Sequence, residues 1–268
     1  MFKIDDQVIE RVFLGSWKPG FIQRMVLEHQ TDRNICRFGR RTGKSDLLVG
    51  DALITASYFH ARCLVICSLM HAESLEMHFW DRIQGSLYLR SRLLNHLKTN
   101  EGIQYNFQGG GAITILRGAP SGSDLVVSNI CYQDAYDCLF VEEVDHLELD
   151  LQVLAQRASK NPRLSILMNT SAGRISPQYV SLGHWACLDA ENLQLPNEEI
   201  TKLSLPRLAT IPGRYMGKTW TEFFFPTTAK KYWMLDPKLH EREMKDLMGE
   251  EGYQQEILCE YWIASDFS

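Results

Sequence analysis

The sequence predicts an α/β protein, with a mainly parallel sheet flanked by helices. Three observations carry this. Short, continuous apolar runs stand at 61–68 (ARCLVICS), 137–143 (DCLFVEE) and 163–171 (RLSILMNTS), the pattern of strands buried on both faces. Helical patterns alternate with these runs, as in chains that cover a parallel sheet on both sides. Polar motifs close the strands: Gly43-Lys44-Ser45, Glu142-Glu143 and Thr170-Ser171. Sheets of this kind hold ligands at the carboxyl ends of their strands, so the three motifs are expected on one rim.

Taken in order, RNICRFG (33–39) reads as a strand running into a glycine turn, and SDLLVGDALITASYF (45–59) as the following helix, despite Gly50. ARCLVICS is the next strand, and Leu75, Phe79 and Ile83 recur every four residues in a helix over 71–86. IQYNF and AITIL, separated by QGGG, predict a β-hairpin. DCLFVEE is a buried strand, LDLQVLAQRASK a helix, and RLSILMNTS a further strand. After about residue 200 the pattern changes. WTEFFFP reads as a strand, and Asp236-Pro237 as a helix start, cap followed by proline. Leu239, Met244, Leu247 and Met248 form an apolar stripe that Gly249 would end. The expected division is a core over 1–200 and a small lid or linker subdomain over 201–268.

The 268 residues are 45% apolar and 23% charged, an ordinary soluble balance. No run of 18 apolar residues marks a membrane span, and MFKIDDQVIE shows no secretory h-region. The seven cysteines are scattered, several in apolar runs, and read as buried free thiols in a reducing compartment. The net charge of −5 argues against a surface that is a nucleic-acid footprint throughout. Residues 24–45 nevertheless hold Arg24, Arg33, Arg37, Arg40, Arg41 and Lys44 against Glu28 and Asp32, a local basic face suited to a polyphosphate or to DNA passing nearby.

Chemistry concentrates in two places. Gly39 to Ser45, between a strand and a helix, has the form of a phosphate loop, whose backbone N–H groups and helix N-terminus face phosphate oxygens. Lys44 would neutralise β- and γ-phosphate charge, and the Ser45 hydroxyl would ligate Mg²⁺. Glu142 and Glu143 end an apolar strand about 100 residues on, where one carboxylate holds Mg²⁺ and the next polarises the attacking water. The alternative is an acidic turn continuing through Asp145, Glu148 and Asp150.

KPGFIQ (18–23), CRFGRRTGKS (36–45), LFVEEVD (139–145) and LMNTSAGR (167–174) resemble, in order and spacing, the large terminase subunit, the DNA-packaging motor of tailed viruses. EREMKDLMGEEGYQQEILCEYW (241–262) resembles the end of that family's ATPase region, and the resemblance covers nearly the whole chain. It implies a P-loop NTPase of the RecA/ASCE type. The implied cofactors are ATP and Mg²⁺, and the implied work is translocation of double-stranded DNA into a procapsid. The implied partners are further copies in a ring (a pentamer on the portal), the portal protein and the small terminase subunit. The implied place is the host cell cytoplasm, without a membrane.

The resemblance also assigns roles. Phe38 and a loop arginine, unusual in phosphate loops at large, match this family's loop. Gly39, Arg40, Arg41, Thr42, Gly43, Lys44 and Ser45 form the loop, and Gln23 resembles the glutamine that reads adenine, its alternative being a surface glutamine on a helix. Arg40 matches the γ-phosphate arginine; Arg41 is the alternative, or the partner of a neighbouring acid. Thr170 and Ser171 resemble the motif that couples phosphate loss to movement, and otherwise cap a turn. Glu142 departs from the usual Asp. The trans-acting arginine has no clear match: Arg117 is the first choice, with Arg157, Arg163 and Arg174 as alternatives. The family's nuclease domain is expected to be absent, through truncation. A superfamily 2 helicase-like ATPase and an inactive nucleotide-binding scaffold are the rival readings.

Overall fold

The structure, a computed structural model, describes residues 2–98, 102–117, 136–143, 165–170, 207–211, 220–225, 227 and 237–258. Two helices precede the first strand. In α1 (Asp6–Phe13) the Asp5 side chain caps the first turn by accepting from the Val8 N–H at 3.0 Å, and Val8, Ile9, Val12 and Phe13 turn inward. α2 (Phe21–His29) leads into β1 (Arg33–Phe38), and the phosphate-type loop joins β1 to α3 (Lys44–Ser57). Then come β2 (Arg62–Cys67), α4 (Leu69–Gly85), α5 (Leu87–Arg92), β3 (Leu93–Lys98), β4 (Gly102–Phe107) and β5 (Ala112–Arg117). β6 (Cys138–Val141), β7 (Ser165–Thr170), β8 (Arg207–Ile211), β9 (Trp220–Phe225) and α6 (Pro237–Tyr253) follow, and a π-helical turn covers Gln254–Leu258.

The described strands make one nine-stranded sheet in the order β3-β4-β5-β2-β6-β7-β1-β9-β8. From β5 to β9 every neighbouring pair is parallel, while β3-β4, β4-β5 and β8-β9 are antiparallel. The parallel centre is buried on both faces, which is why β2 and β6 are apolar along nearly their whole length: Cys63 to Cys67 and Cys138 to Val141 are all buried. The order interleaves early and late strands, so the loop strand β1 lies between β7 and β9 rather than beside β2.

Several expectations change. β8 and β9 lie beyond residue 200 yet belong to the sheet, β9 pairing with β1, so the sheet does not stop at the boundary expected there. Gly249, with a non-helical φ of 76° and ψ of 170°, does stop the helix that begins at Pro237, as expected, and a second helical stretch follows it through Tyr253. The stripe on that helix is not a buried seam, since Leu247 is 74% exposed. The basic face over 24–45 is also smaller than a charge count implies. Arg33 and Arg37 are buried in β1, where Arg33 Nη1 donates to the Asp32 carbonyl at 2.9 Å. Cys36, Cys63, Cys67 and Cys138 are buried free thiols, as expected; Cys131, Cys187 and Cys259 lie outside the described residues. The helix expected over LDLQVLAQRASK also lies outside them.

Asp51 is an acid inside α3, 1% exposed, with the Thr55 hydroxyl donating to Oδ1 at 3.1 Å. Burial pushes its carboxyl up to about 7, against the opposing effect of the Thr55 hydrogen bond. In the unfolded chain an aspartate titrates at about 3.9. Between those values the folded chain keeps a proton that the unfolded chain has lost, so stability falls as pH rises through this window. Asp51→Asn keeps an oxygen for Thr55 and removes the charge. It is expected to raise stability by about 2–4 kcal/mol at pH 8 and by almost nothing at pH 4, as read from denaturant midpoints at the two pH values.

Candidate functional site

The site is built on the carboxyl ends of β1 and β6. Phe38, the last residue of β1, is fully buried, its ring meeting the Phe225 ring of β9 edge-on at 6.3 Å. The bulky residue ahead of the loop is therefore a core residue of the β1-β9 seam. Gly39 must be glycine: a Cβ there would lie 2.3 Å from Thr227 Oγ1 and 2.9 Å from the Ile257 carbonyl. Arg41 takes a left-handed φ of 59° and Gly43, capping α3, one of 89°. Left-handed residues set among right-handed ones turn successive N–H groups into one concavity, the geometry of an anion nest. The Thr42 hydroxyl donates to the Gly39 carbonyl at 2.6 Å and ties the loop across its base.

Four side chains converge over this loop. Lys44 Nζ, nearly buried, donates to the Phe38 carbonyl at 3.0 Å and pairs with Glu143 Oε1 at 3.1 Å. The Ser45 hydroxyl donates to Glu142 Oε1 in a short hydrogen bond. Glu142 is 3% exposed, and its backbone N–H is fixed to the Ile66 carbonyl of β2 at 2.8 Å. Glu143 holds a left-handed φ of 48°, a conformation uncommon for glutamate, at the position whose carboxylate reaches Lys44. One carboxylate thus faces the hydroxyl and the other the ammonium. A hydroxyl and a carboxylate facing each other are hard oxygen donors of the kind Mg²⁺ takes. The loop, the α3 N-terminus and Lys44 fit a polyphosphate.

The other expected residues are placed as follows. Gln23 is 7% exposed, so it is not a surface glutamine; its carboxamide touches the loop at Gly43. Arg40 is directed to the C-terminal part of the described chain. Its N–H donates to the Glu256 carbonyl at 2.7 Å, its Nε lies 3.6 Å from Glu256 Oε2, and its carbonyl accepts from Thr227 Oγ1 at 2.9 Å. Thr170 ends β7, in register with Arg37 and between the Glu142 strand and the loop strand; Ser171 lies outside the described residues. Arg117 ends β5 in register with Cys67, on the same rim but with β2 between its strand and β6. Arg157, Arg163 and Arg174 lie outside the described residues.

Sequence reading missed the groups behind the loop: Trp17, Asp46, Arg82, Thr227 and Glu256. One signal was present. Gly50, an unfavourable residue mid-helix, sits where a Cβ would come within 2.2 Å of the Trp17 ring. Gly50→Ala is expected to push the indole off α3 and cost about 1–3 kcal/mol, the usual range for overpacking, with a matching drop in thermal midpoint.

No protein-family model matches the sequence, and no curated protein matches it. Solved structures share its fold. The Thermus phage P74-26 large terminase ATPase domain aligns at a TM-score of 0.64 with 10% identity, over 98% of this chain and 100% of that one. The large terminase of the thermophilic bacteriophage D6E, solved in complex with ADP, aligns at 0.53 with 12% identity, over 96% of this chain and 53% of that one. The Phi-28 gp11 DNA packaging motor aligns at 0.50 with 15% identity, over 92% and 69%. With its sheet order and its loop between β1 and α3, the chain has the P-loop NTPase fold of the phage large terminase ATPase domains.

Proposed function

We propose that this chain is the ATP-hydrolysing motor domain of a large-terminase-type DNA-packaging machine. One observation carries the reading: Lys44 with Glu143, and Ser45 with Glu142, meet over a phosphate-type loop on the carboxyl rim of a parallel sheet. A pocket that only stored a nucleotide would not need a second acid beside the phosphate cation. In this reading the loop and Lys44 hold the β- and γ-phosphates, and Gln23 reads adenine. Ser45 and Glu142 hold Mg²⁺, which supplies charge neutralisation on the phosphates when bound. Glu143 orients and polarises the water that attacks the γ-phosphate. Arg40 would leave Glu256 to face the γ-phosphate, or Arg41 takes its place.

ATP entering this site competes for Lys44. The phosphates are the stronger partner for the ammonium, so Glu143 is released toward the water as the substrate binds. Thr170 and Ser171 report phosphate loss to the rest of the domain. Double-stranded DNA is gripped through its phosphates, since a packaging motor must ignore sequence. The working assembly is a ring of copies on a portal, fed by a small terminase subunit in the host cytoplasm, with a neighbour supplying the trans arginine; Arg117 is the residue assigned that part. The purified chain is expected to release inorganic phosphate from ATP when Mg²⁺ is present. Nucleotide binding without release would identify the inactive scaffold instead and overturn this reading.

A further inference from the structure

The amino rim of the sheet, opposite the phosphate loop, carries three arginines that the nucleotide chemistry does not use. Arg11 stands in the last turn of α1, Arg62 opens β2, and Arg92 ends α5. Each guanidinium lies over a tyrosine ring: Arg11 over Tyr58 at 5.5 Å, Arg62 over Tyr136 at 5.9 Å and Arg92 over Tyr88 at 5.4 Å. All three lie within cation–π range. The pairs adjoin one another around residues 57–62. Tyr88 Oη donates to the Ser57 carbonyl at 3.4 Å, beside Tyr58, and the Asp137 N–H, beside Tyr136, donates to the Arg62 carbonyl at 2.8 Å. The Gln108 N–H, in the β4-β5 turn, donates to the Arg92 carbonyl at 2.8 Å, and a Cβ on Gly109 in that turn would lie 2.4 Å from His60 Nδ1.

Arg11 and Arg62 are exposed, and Arg92 is half-buried. Among the described residues, none of the three forms a salt bridge with a carboxylate. Arg24, Arg40 and Arg82 differ in this, facing Asp6, Glu256 and Asp46. The acid at this rim, Asp137, accepts from the Arg62 backbone N–H at 2.8 Å. A guanidinium lying flat on a ring keeps its N–H edge free and is already ordered when an anion arrives. At ~1.5 Å per residue, the 14 residues of α3 set this face about 20 Å from the loop.

We propose that this rim is a duplex-DNA surface, on which Arg11, Arg62 and Arg92 each hold a backbone phosphate. The proposal deepens the motor reading above and rests on it for the identity of the polyanion. Unpaired cations on three separate elements suit a repeating charge better than one small anion, which needs its donors convergent. Duplex DNA presents such a repeat, about one charge per 1.7 Å of axis, whatever its sequence. The tyrosines decide between duplex and single strand. Single strands are held by stacking bases on aromatic faces, and here a guanidinium already lies over each ring. With a net charge of −5 the chain has no general attraction for DNA, so binding must come from a local face such as this one.

Fluorescence anisotropy of a labelled blunt duplex of arbitrary sequence, titrated with the whole chain at several salt concentrations and without nucleotide, tests this. Three phosphate contacts predict that log K falls with log salt at a slope of about −2.7. Arg62→Ala and Arg92→Ala are each expected to weaken binding about 5- to 10-fold near 0.1 M salt and to reduce the slope by about 1. Arg62→Lys, which keeps the charge, is expected to restore the slope. Arg242→Ala, an equal loss of charge at an exposed position of α6, should change neither. Equal weakening by Arg242→Ala, an unchanged slope in both rim variants, or tighter binding of single strand than of duplex overturns the proposal. So does sedimentation showing that the rim variants alter self-association instead, which would make this face an interface between copies. A chain that binds no duplex overturns the proposal and leaves the nucleotide site standing. A chain that binds duplex but releases no phosphate from ATP overturns the ATPase reading and leaves this face standing.

Discussion

Lys44→Ala is expected to lower ATP turnover at least about 100-fold, the scale on which removal of one preorganised charge-stabilising group acts. The ammonium is buried against the Phe38 carbonyl and Glu143, so it has little freedom to be elsewhere when phosphates arrive. Alanine removes the ammonium that the proposed function sets against the phosphates and that pairs with Glu143. The measurement is phosphate release at saturating ATP, with a thermal midpoint taken alongside to show that the variant is folded. More than about a tenth of wild-type turnover in a folded variant would mean that the loop has been misassigned.

Glu143→Gln should separate binding from chemistry. The amide keeps the shape of the side chain but cannot take charge from the attacking water, and loss of a positioned acid-base group costs about 10²–10⁴ in rate. Because Glu143 pairs with Lys44, the neutral amide also removes a competitor for that ammonium. ATP affinity should therefore hold or rise while hydrolysis collapses. Glu142→Gln should behave differently, because its carboxylate faces the Ser45 hydroxyl: binding should weaken and the Mg²⁺ requirement rise. Equilibrium binding of ATP and single-turnover phosphate release, run on both variants, distinguish the two roles. The opposite pattern of phenotypes would exchange the assignments of the two acids.

How much of this could be read from sequence depends on where each signal is local. β2 and β6 were legible because both faces of the parallel centre are covered, which forces continuous apolar runs. β3 was not, because at the sheet edge Leu94 and Leu97 stay exposed and no burial pattern marks the strand. α1 was overlooked although Asp5 and the spacing of Val8, Ile9, Val12 and Phe13 announce it. The loop and the acid pair were legible as types, since chemistry fixes their residues and strand ends fix their position. The partners of Asp46 and Arg40 were not, because they come from elements far apart in sequence and carry no motif. Counting charges over 24–45 failed for a related reason: tertiary burial of β1 encloses Arg33 and Arg37.

The seam between β1 and β9 also sets an order of assembly. One edge of the loop strand is paired by β9, and the wall behind Gly39 comes from Thr227 and Ile257, some 190 to 220 residues downstream. On a ribosome, the loop is made early but its strand keeps an open edge until that region has emerged. Closing so long a stretch of chain is slow, and an unpaired strand edge invites aggregation meanwhile. The shape of the loop is thus a property that a growing chain acquires late, and a chain cut between β7 and β9 would carry the whole motif without the surface that shapes it.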